Sequence, residues 1–186
     1  MKTQFDVESF LEKGKIQNEL DFERALIADR KLRVLAKQNP ELKTTRKKLR
    51  DLMETYENKA WSSNSEISED KLKESDWAER IAEKERVFIH NRKKLIKSKL
   101  KELGLSQQEF GVILGHDSKS YMSELMNGVR PFSLKDLVVI SQLLKIDLTD
   151  LVPTFLPLKE RIKIKSSIQK LDNPKLSLSE DDFALA

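Results

Sequence analysis

Apolar residues in the first sixty positions recur at steps of three and four, the spacing that places them on one face of an α-helix. One stripe lies between Asn18 and Gln38 and a second between Leu42 and Asn58, with Asn39-Pro40 between them. Because proline disfavours helical geometry in the residue before it, the first helix is expected to end here. The pattern predicts an antiparallel helical hairpin, with a further short helix around Phe5 to Glu12.

A charged region follows the hairpin. The polar, serine-rich residues 62–70 predict a flexible connection. Asp76, with Glu79 three residues later, has the pattern of an N-cap and its capping partner. No glycine or proline occurs from here to Gly104, so the helix either continues into the next one or breaks near His90-Asn91. Four parts are predicted: an N-terminal helical domain (1–61), a charged, partly helical connector (62–90), a helix-turn-helix domain (91–153) and a C-terminal extension (154–186).

Turn signals divide residues 92–151 into four or five short helices. Ser106 and Glu109 complete a capping box at the start of one of them. Gly111 leaves room for a crossing helix, and Gly115 permits the positive φ of a tight turn. The next helix runs from about Ser118 to the Asn127-Gly128 stop. This order predicts a helix-turn-helix that binds DNA, with the last of these helices as the recognition helix.

Met122 and Leu125 are predicted to point inward from the recognition helix, which leaves its other face polar. Side chains near its N-terminal half are placed to reach base edges, and those at the start of the preceding helix suit phosphate contacts. Glu124 is repelled by phosphates, so it either accepts from a cytosine amino group or lies aside. The candidate DNA-binding residues are Gln107, Gln108, Ser118, Lys119, Ser120, Tyr121, Ser123, Glu124 and Arg130.

Two segments carry a resemblance to a known family. The run from Gly104 to Gly115 (GLSQQEFGVILG) and the run from Ser120 to Leu134 (SYMSELMNGVRPFSL) resemble the Cro/C1-type (XRE) helix-turn-helix family, and within it the HigA-type antitoxins. Residues 49–61 (LRDLMETYENKAW) are similar to the end of the helical hairpin that precedes the DNA-binding module in those antitoxins. The resemblance covers roughly residues 18–61 and 92–152.

The resemblance implies a dimeric antitoxin that represses its own operon through a palindromic operator and neutralises a ribonuclease toxin. Three features depart from the family. Residues 62–90 replace a short proline-containing linker, the turn containing His116-Asp117 is longer than usual, and residues 154–186 extend past the usual end. The longer turn leaves the start of the recognition helix open by a residue or two.

Composition limits the fold and function classes that fit the chain. With 5 Gly, 5 Pro and 38% apolar residues the chain is expected to be all-α. The absence of cysteine excludes disulfides and thiolate chemistry, and His90 and His116 have no companions that would form a metal or catalytic site. We therefore expect that the protein is not an enzyme and that it binds neither a cofactor nor a metal. No stretch has the length of a membrane span, so a cytoplasmic protein without a membrane partner is predicted.

Several alternatives remain at the level of sequence. The chain is either an antitoxin, a stand-alone regulator without a toxin, or a helical interaction scaffold that has lost DNA binding. The basic run 92–101 is either a phosphate-facing surface or a solvated helix face. In the C-terminal extension, the alternation in 161–165 predicts a short exposed strand, which either folds on its own domain or is exchanged with a partner.

Overall fold

The computed structural model describes residues 5–61, 69–154, 156, 158–173 and 175–176. Within them the chain is entirely helical, which confirms the all-α prediction. The helices are α1 (Val7–Lys13), α2 (Glu19–Leu35), α3 (Leu42–Trp61), α4 (Glu69–Glu102), α5 (Gln107–Leu114), α6 (Lys119–Asn127), α7 (Leu134–Leu144), α8 (Leu148–Leu151) and α9 (Leu158–Leu171).

Side-chain caps determine where the first helices begin. Asp6 accepts a hydrogen bond from the Ser9 N–H (3.3 Å) before α1, and Asn18 accepts one from the Asp21 N–H (2.9 Å) before α2. Each cap satisfies one of the N–H groups that the first helical turn leaves without a partner. Helices α2 and α3 then pack against each other, which confirms the predicted pair. Their shared core contains Phe22, Ala25, Leu32, Leu49 and Met53.

The charged connector enters one continuous helix, α4, which runs past His90-Asn91 without a break. The expected N-cap at Asp76 is wrong, because α4 already begins at Glu69. A buried apolar stripe explains the continuity, since Ala78, Ile81, Ala82 and Ile89 are covered by packing and α2 lies against α4. Residue 91, the expected start of the helix-turn-helix domain, therefore lies inside a helix that extends back to the hairpin.

A half-buried ion pair also joins α2 to α4. The Arg24 Nε atom donates to the Glu85 Oε2 atom at 2.7 Å. Burial lowers the pKa of the Arg24 guanidinium, but the hydrogen bonds to Glu85 outweigh it and raise this pKa overall. The two side chains thus satisfy each other's hydrogen-bonding groups inside the contact.

Lys31, on the same side of α2, lies half-buried among cations. Burial, together with Arg92, Arg86 and Lys93, lowers the pKa of its ammonium group to about 8 from 10.5, although Glu85 partly opposes this. Because the unfolded chain has the higher pKa, it binds more protons between these two values. The free energy of unfolding that Lys31 contributes should therefore rise with pH across that window.

We expect Lys31→Met to flatten this rise, measured by urea denaturation at a series of pH values from about 7 to about 10. Lys48→Met, at an exposed position on α3, is the matched control and should keep the wild-type slope. A Lys31→Met protein whose stability still climbs as steeply as that of the wild type would contradict the assignment.

A second core joins the C-terminal half of α4 to α5, α6, α7 and α8. Its fully buried members include Ile96, Phe110, Leu114, Leu125 and Ile140. This arrangement confirms the predicted helical bundle, and the inward positions of Met122 and Leu125 are confirmed as well. The bundle holds α6 rigidly from one side only, which leaves its opposite side for other contacts.

The expected strand at 161–165 is wrong, because these residues lie inside α9. A lone strand would leave its backbone N–H and C=O groups without a pairing neighbour, whereas a helix satisfies them internally. The predicted flexible connection, 62–70, lies outside the described residues except for its last two positions. Among the described helices, none has both the length and the apolar character that crossing a membrane requires.

Candidate nucleic-acid interface

The capping box predicted before α5 is present. The Glu109 N–H donates to the Ser106 Oγ atom (3.2 Å), and the Ser106 N–H donates to the Glu109 Oε2 atom (2.8 Å). The hydrogen bonds to Ser106 lower the pKa of the Glu109 carboxyl, so it is ionised at neutral pH. Gln107 and Gln108 are thereby placed in the first turn of α5, Gln107 half-buried and Gln108 exposed. Exposed N–H groups and polar side chains at this position suit a phosphate oxygen.

The turn between α5 and α6 depends on two glycines. A Cβ atom on Gly111 would lie 2.8 Å from the His116 carbonyl oxygen, and Gly115 has a φ of +86°. The close approach at Gly111 thus comes from the backbone of the turn, whereas the crossing helix, represented by Met122, lies at an ordinary 3.5 Å. This corrects the expectation that Gly111 makes room for a crossing helix, because the room at Gly111 is needed by the backbone of the turn. The tight turn is what brings the start of α6 back against α5.

The longer turn still gives α6 a defined start. The Tyr121 N–H donates to the Ser118 Oγ atom at 3.2 Å, so Ser118 is the N-cap and Lys119 the first helical residue. His116 and Asp136 of α7 lie 3.1 Å apart, measured from Nε2 to Oδ1. The His116 ring centroid is 5.0 Å from that of Tyr121. The turn residues therefore brace the N-terminus of α6, and Lys119 extends from it exposed.

One face of α6 points away from the bundle core. We call it the outer face, defined by Ser120, Ser123, Glu124 and Asn127, whose spacing of three and four residues places them together. In helix-turn-helix proteins this side of the recognition helix, towards its N-terminus, enters the major groove. Here the outer face is half-buried or buried throughout.

The N-terminal hairpin covers this outer face. The Asn39 amide, in the turn between α2 and α3, donates to the Ser120 hydroxyl. At the other end of the face, the Lys93 Nζ atom of α4 donates to the Asn127 Oδ1 atom at 2.6 Å, and the Asn127 amide donates to the Ser123 carbonyl at 2.7 Å. Ser120 is therefore in contact with the hairpin, whereas Ser123 contacts Asn127 of its own helix.

Glu124 and Arg130 form a second link to the N-terminal region. Glu124 is only 6% exposed, and its Oε2 atom accepts from the Arg130 Nε atom at 2.6 Å. The other guanidinium nitrogens of Arg130 donate to the Glu8 carboxylate of α1. Although burial opposes charge, the hydrogen bonds that Arg130 donates to Glu8 and Glu124 raise the pKa of its guanidinium. In this structure the Glu124 carboxylate is thus bonded to Arg130, and its part in reading DNA stays a prediction.

The backbone reinforces the same contact. The Val7 N–H donates to the Val129 carbonyl at 3.2 Å, and the Val129 side chain is buried in the hairpin core. The Arg130 guanidinium carbon lies 5.2 Å from the centroid of the Tyr121 ring. Tyr121 and Arg130 consequently sit together at the edge of α6, where the N-terminal segment meets the helix-turn-helix.

The basic run 92–101 does not form one surface. Arg92 is 2% exposed, donates to the Leu151 carbonyl at 3.1 Å and lies 5.1 Å from the Phe132 ring centroid. Burial lowers the pKa of its guanidinium to about 10. Lys94, Lys97 and Lys101 are exposed. Arg92 is therefore a core residue that anchors α8. The exposed lysines fit both alternatives, and their contact with phosphate stays a prediction.

Sequence reasoning missed Asn39 and Glu8. Asn39 is 81 residues from Ser120 along the chain, and Glu8 is 122 residues from Arg130. Periodicity and capping patterns report on neighbours within one or two helical turns, so they carry no signal about such pairs. The packing of α2 on α4 and α6 brings Asn39 to α6, and the packing of α1 on α3 and the Val7–Val129 hydrogen bond bring Glu8 there.

Comparison with known proteins agrees with this geometry. Residues 96–151 match the helix-turn-helix family, and they span the C-terminal part of α4 together with α5 to α8. The chain therefore contains an XRE-type helix-turn-helix domain, and the match indicates a DNA-binding transcription regulator. Comparison with curated proteins and with solved structures gives no match.

Proposed function

We propose that the chain is a transcription regulator that binds operator DNA as a dimer, with the N-terminus of α6 in the major groove. The exposed Lys119 carries this proposal. It is the first residue of α6, directly after the Ser118 N-cap, and it has no side-chain hydrogen bond or ion pair with another described residue. A helix N-terminus and a free ammonium group together favour contact with phosphate or with guanine acceptors.

Base reading by the rest of α6 requires the N-terminal hairpin to separate from the outer face. A major groove about 12 Å wide admits a single helix, not a helix covered by a second layer of protein. The proposal is therefore a two-state protein, closed as described and open when bound to the operator. Ser120 and Ser123 become available in the open state, and Gln107 and Gln108 contact phosphate.

The dimer is supported by exposed apolar side chains on the helix-turn-helix domain. Leu134 and Val138, four residues apart on α7, are 75% and 41% exposed. Side chains at this spacing lie on one helical face, and a second copy of the chain would remove them from water. A palindromic operator, with one half-site for each copy, follows from the two-fold symmetry of such a dimer.

We further propose that the protein is an antitoxin and an autorepressor. The support is the resemblance of the hairpin end and of the SELMNGVRPFSL string to HigA-type antitoxins. In this proposal the hairpin holds a ribonuclease toxin. Co-expression with a small basic protein encoded beside this gene should restore growth that the neighbour alone arrests. Growth arrest that persists despite soluble expression of this chain would reject the toxin half of the proposal.

The direct test is a mobility-shift titration on the DNA upstream of the gene. Wild-type protein should shift this DNA in preference to a shuffled sequence, with affinity falling steeply as salt rises. Lys119→Ala should weaken binding by about fivefold to a hundredfold, the loss of one good polar contact of about 1 to 3 kcal/mol. Its thermal unfolding should stay unchanged because the side chain is exposed.

The matched control is Lys101→Ala, at an exposed position on α4 outside the proposed interface. It should retain wild-type affinity for the operator. Equal losses in the two variants would mean that net charge alone explains the effect of Lys119. No shift of upstream DNA even at low salt would reject DNA binding by this chain.

A second candidate is an interaction scaffold that does not bind DNA, and the covered outer face is the observation that favours it. The two candidates differ in one measurement. A regulator binds its operator better when the hairpin contacts are weakened, whereas a scaffold binds no DNA in either form.

A further inference from the structure

A wide groove of about 930 Å³ runs between α2 and α3 on the N-terminal hairpin. Its charges are segregated. Towards the turn that joins the two helices its lining is cationic, and the acidic side chains Asp51, Glu54 and Glu57 lie towards the C-terminal half of α3. The cationic residues, which we call the basic groove, are Arg33, Lys37, Lys43, Arg46, Lys47 and Arg50.

Most of this positive charge is uncompensated. Only Arg46 is engaged, through its Nε atom, with Asp29 at 2.8 Å. The other five cations make no ion pair or side-chain hydrogen bond with any described residue, and all five are exposed. The first turn of α3 contains no acidic residue. Cations that line the same groove repel each other, and an anionic ligand in the groove would relieve that repulsion.

The spacing of the cations on α3 fits a nucleic-acid strand. Lys43, Lys47 and Arg50 are separated by four and three residues, so they form one stripe on the helix. At a rise of about 1.5 Å per residue, the stripe is about 10 Å long. One strand of duplex DNA presents a phosphate every 3.4 Å or so along its axis, hence about three phosphates over this length.

The position of the basic groove favours DNA over an acidic protein. The turn at its cationic end contains Asn39, whose amide contacts Ser120 on the recognition helix. In the closed state, positive charge at this end therefore lies beside the helix that is proposed to read the operator. DNA that binds the closed protein without regard to sequence would meet the groove next to the DNA-binding end of the helix-turn-helix.

We propose that the basic groove is a second, sequence-independent DNA site that contacts the sugar-phosphate backbone through Lys43, Lys47 and Arg50. It deepens the proposed function, and it rests on that function insofar as both require duplex DNA. The groove supplies affinity, while α6 supplies the choice of sequence.

The test compares full-length wild-type protein with the triple variant Lys43→Gln, Lys47→Gln, Arg50→Gln. Binding of a labelled random-sequence duplex is followed by fluorescence anisotropy at salt concentrations from about 50 to 200 mM. Each phosphate contact contributes about 0.9 to the slope of log affinity against log salt. Loss of three contacts should reduce that slope by about 2 to 3, with no change in the thermal unfolding temperature.

The matched control is Lys15→Gln, Lys48→Gln, Lys59→Gln, which removes the same charge from exposed positions of the N-terminal region outside the groove. Its slope should change by less than about 1. Equal reductions in both triple variants would overturn the proposal, because they would reflect net charge alone. An unchanged slope in the groove variant would overturn it as well.

A second probe separates DNA from an acidic protein partner. If the groove variant loses polyglutamate binding but keeps the wild-type slope on DNA, the groove is a protein site and the proposal fails. Operator preference is measured in parallel. If the slope of the groove variant is unchanged but the protein still prefers its operator, only the groove proposal is rejected. If the slope is reduced but the protein shows no preference for its operator, only the sequence-reading function is rejected.

Discussion

Replacing Leu125 by alanine is expected to lower the free energy of unfolding by about 2 to 5 kcal/mol. Leu125 is fully buried in the core that holds α6 against α4, α5 and α7. Truncation leaves a cavity there, and the surrounding structure relaxes only partly around it. Urea denaturation followed by circular dichroism measures the change, with the free energy taken from the midpoint and the slope.

The control is Leu171→Ala, which makes the same chemical change at a position that is 68% exposed on α9, outside the proposed dimer surface. It should cost no more than about 0.5 kcal/mol. Comparable losses in the two proteins would show that α6 does not pack through Leu125. Such a result would also displace Ser120 and Glu124 from the outer face, since the orientation of α6 follows from its buried side.

The second large effect is a gain of affinity. Combining Glu8→Arg with Asn39→Ala removes two contacts that hold the N-terminal region on the outer face, and it places an arginine against Arg130. A hydrogen bond and a partly exposed ion pair together contribute about 1 to 2 kcal/mol. If the closed state dominates in free protein, operator affinity should rise about fivefold to thirtyfold.

Added positive charge by itself would also raise the affinity for DNA, so the control variant must have the same change in charge. Glu12→Arg with Gln38→Ala makes the same charge change on α1 and in the α2–α3 turn, at exposed positions for which no contact with α6 is present among the described residues. The operator titration is run on both double variants at one salt concentration. A rise confined to Glu8→Arg, Asn39→Ala supports hairpin release. Equal gains, or none, would mean that the described contact does not limit access to DNA.

Much of the local structure followed from short-range patterns. The capping box at Ser106 and Glu109 and the stop at Gly128 form through contacts within a few residues. The amphipathic stripes of α2 and α3 were readable for the same reason, since a helix returns to the same face every three or four residues. The strand at 161–165 failed because a strand needs a partner that no local pattern can supply.

The candidate interface was harder to predict from the sequence than the helices. Lys119 is exposed and Ser118 caps α6, in agreement with the predicted geometry of the recognition helix. Ser120 was expected to be available from its polarity and its position near the start of α6, and neither distinguishes a side chain facing water from one bonded to another part of the protein. The contacts from Asn39 and Arg130 became visible only in three dimensions.

The sequence by itself determined that this protein is helical and where most of its helices begin and end. It also determined that residues 96–151 contain a helix-turn-helix. These properties depend on neighbours along the chain. Only the tertiary structure decided that α4 is continuous and that the hairpin lies over α6. Those features arise from packing between segments far apart in sequence, where the burial of α2 against α4 determines which polar groups meet.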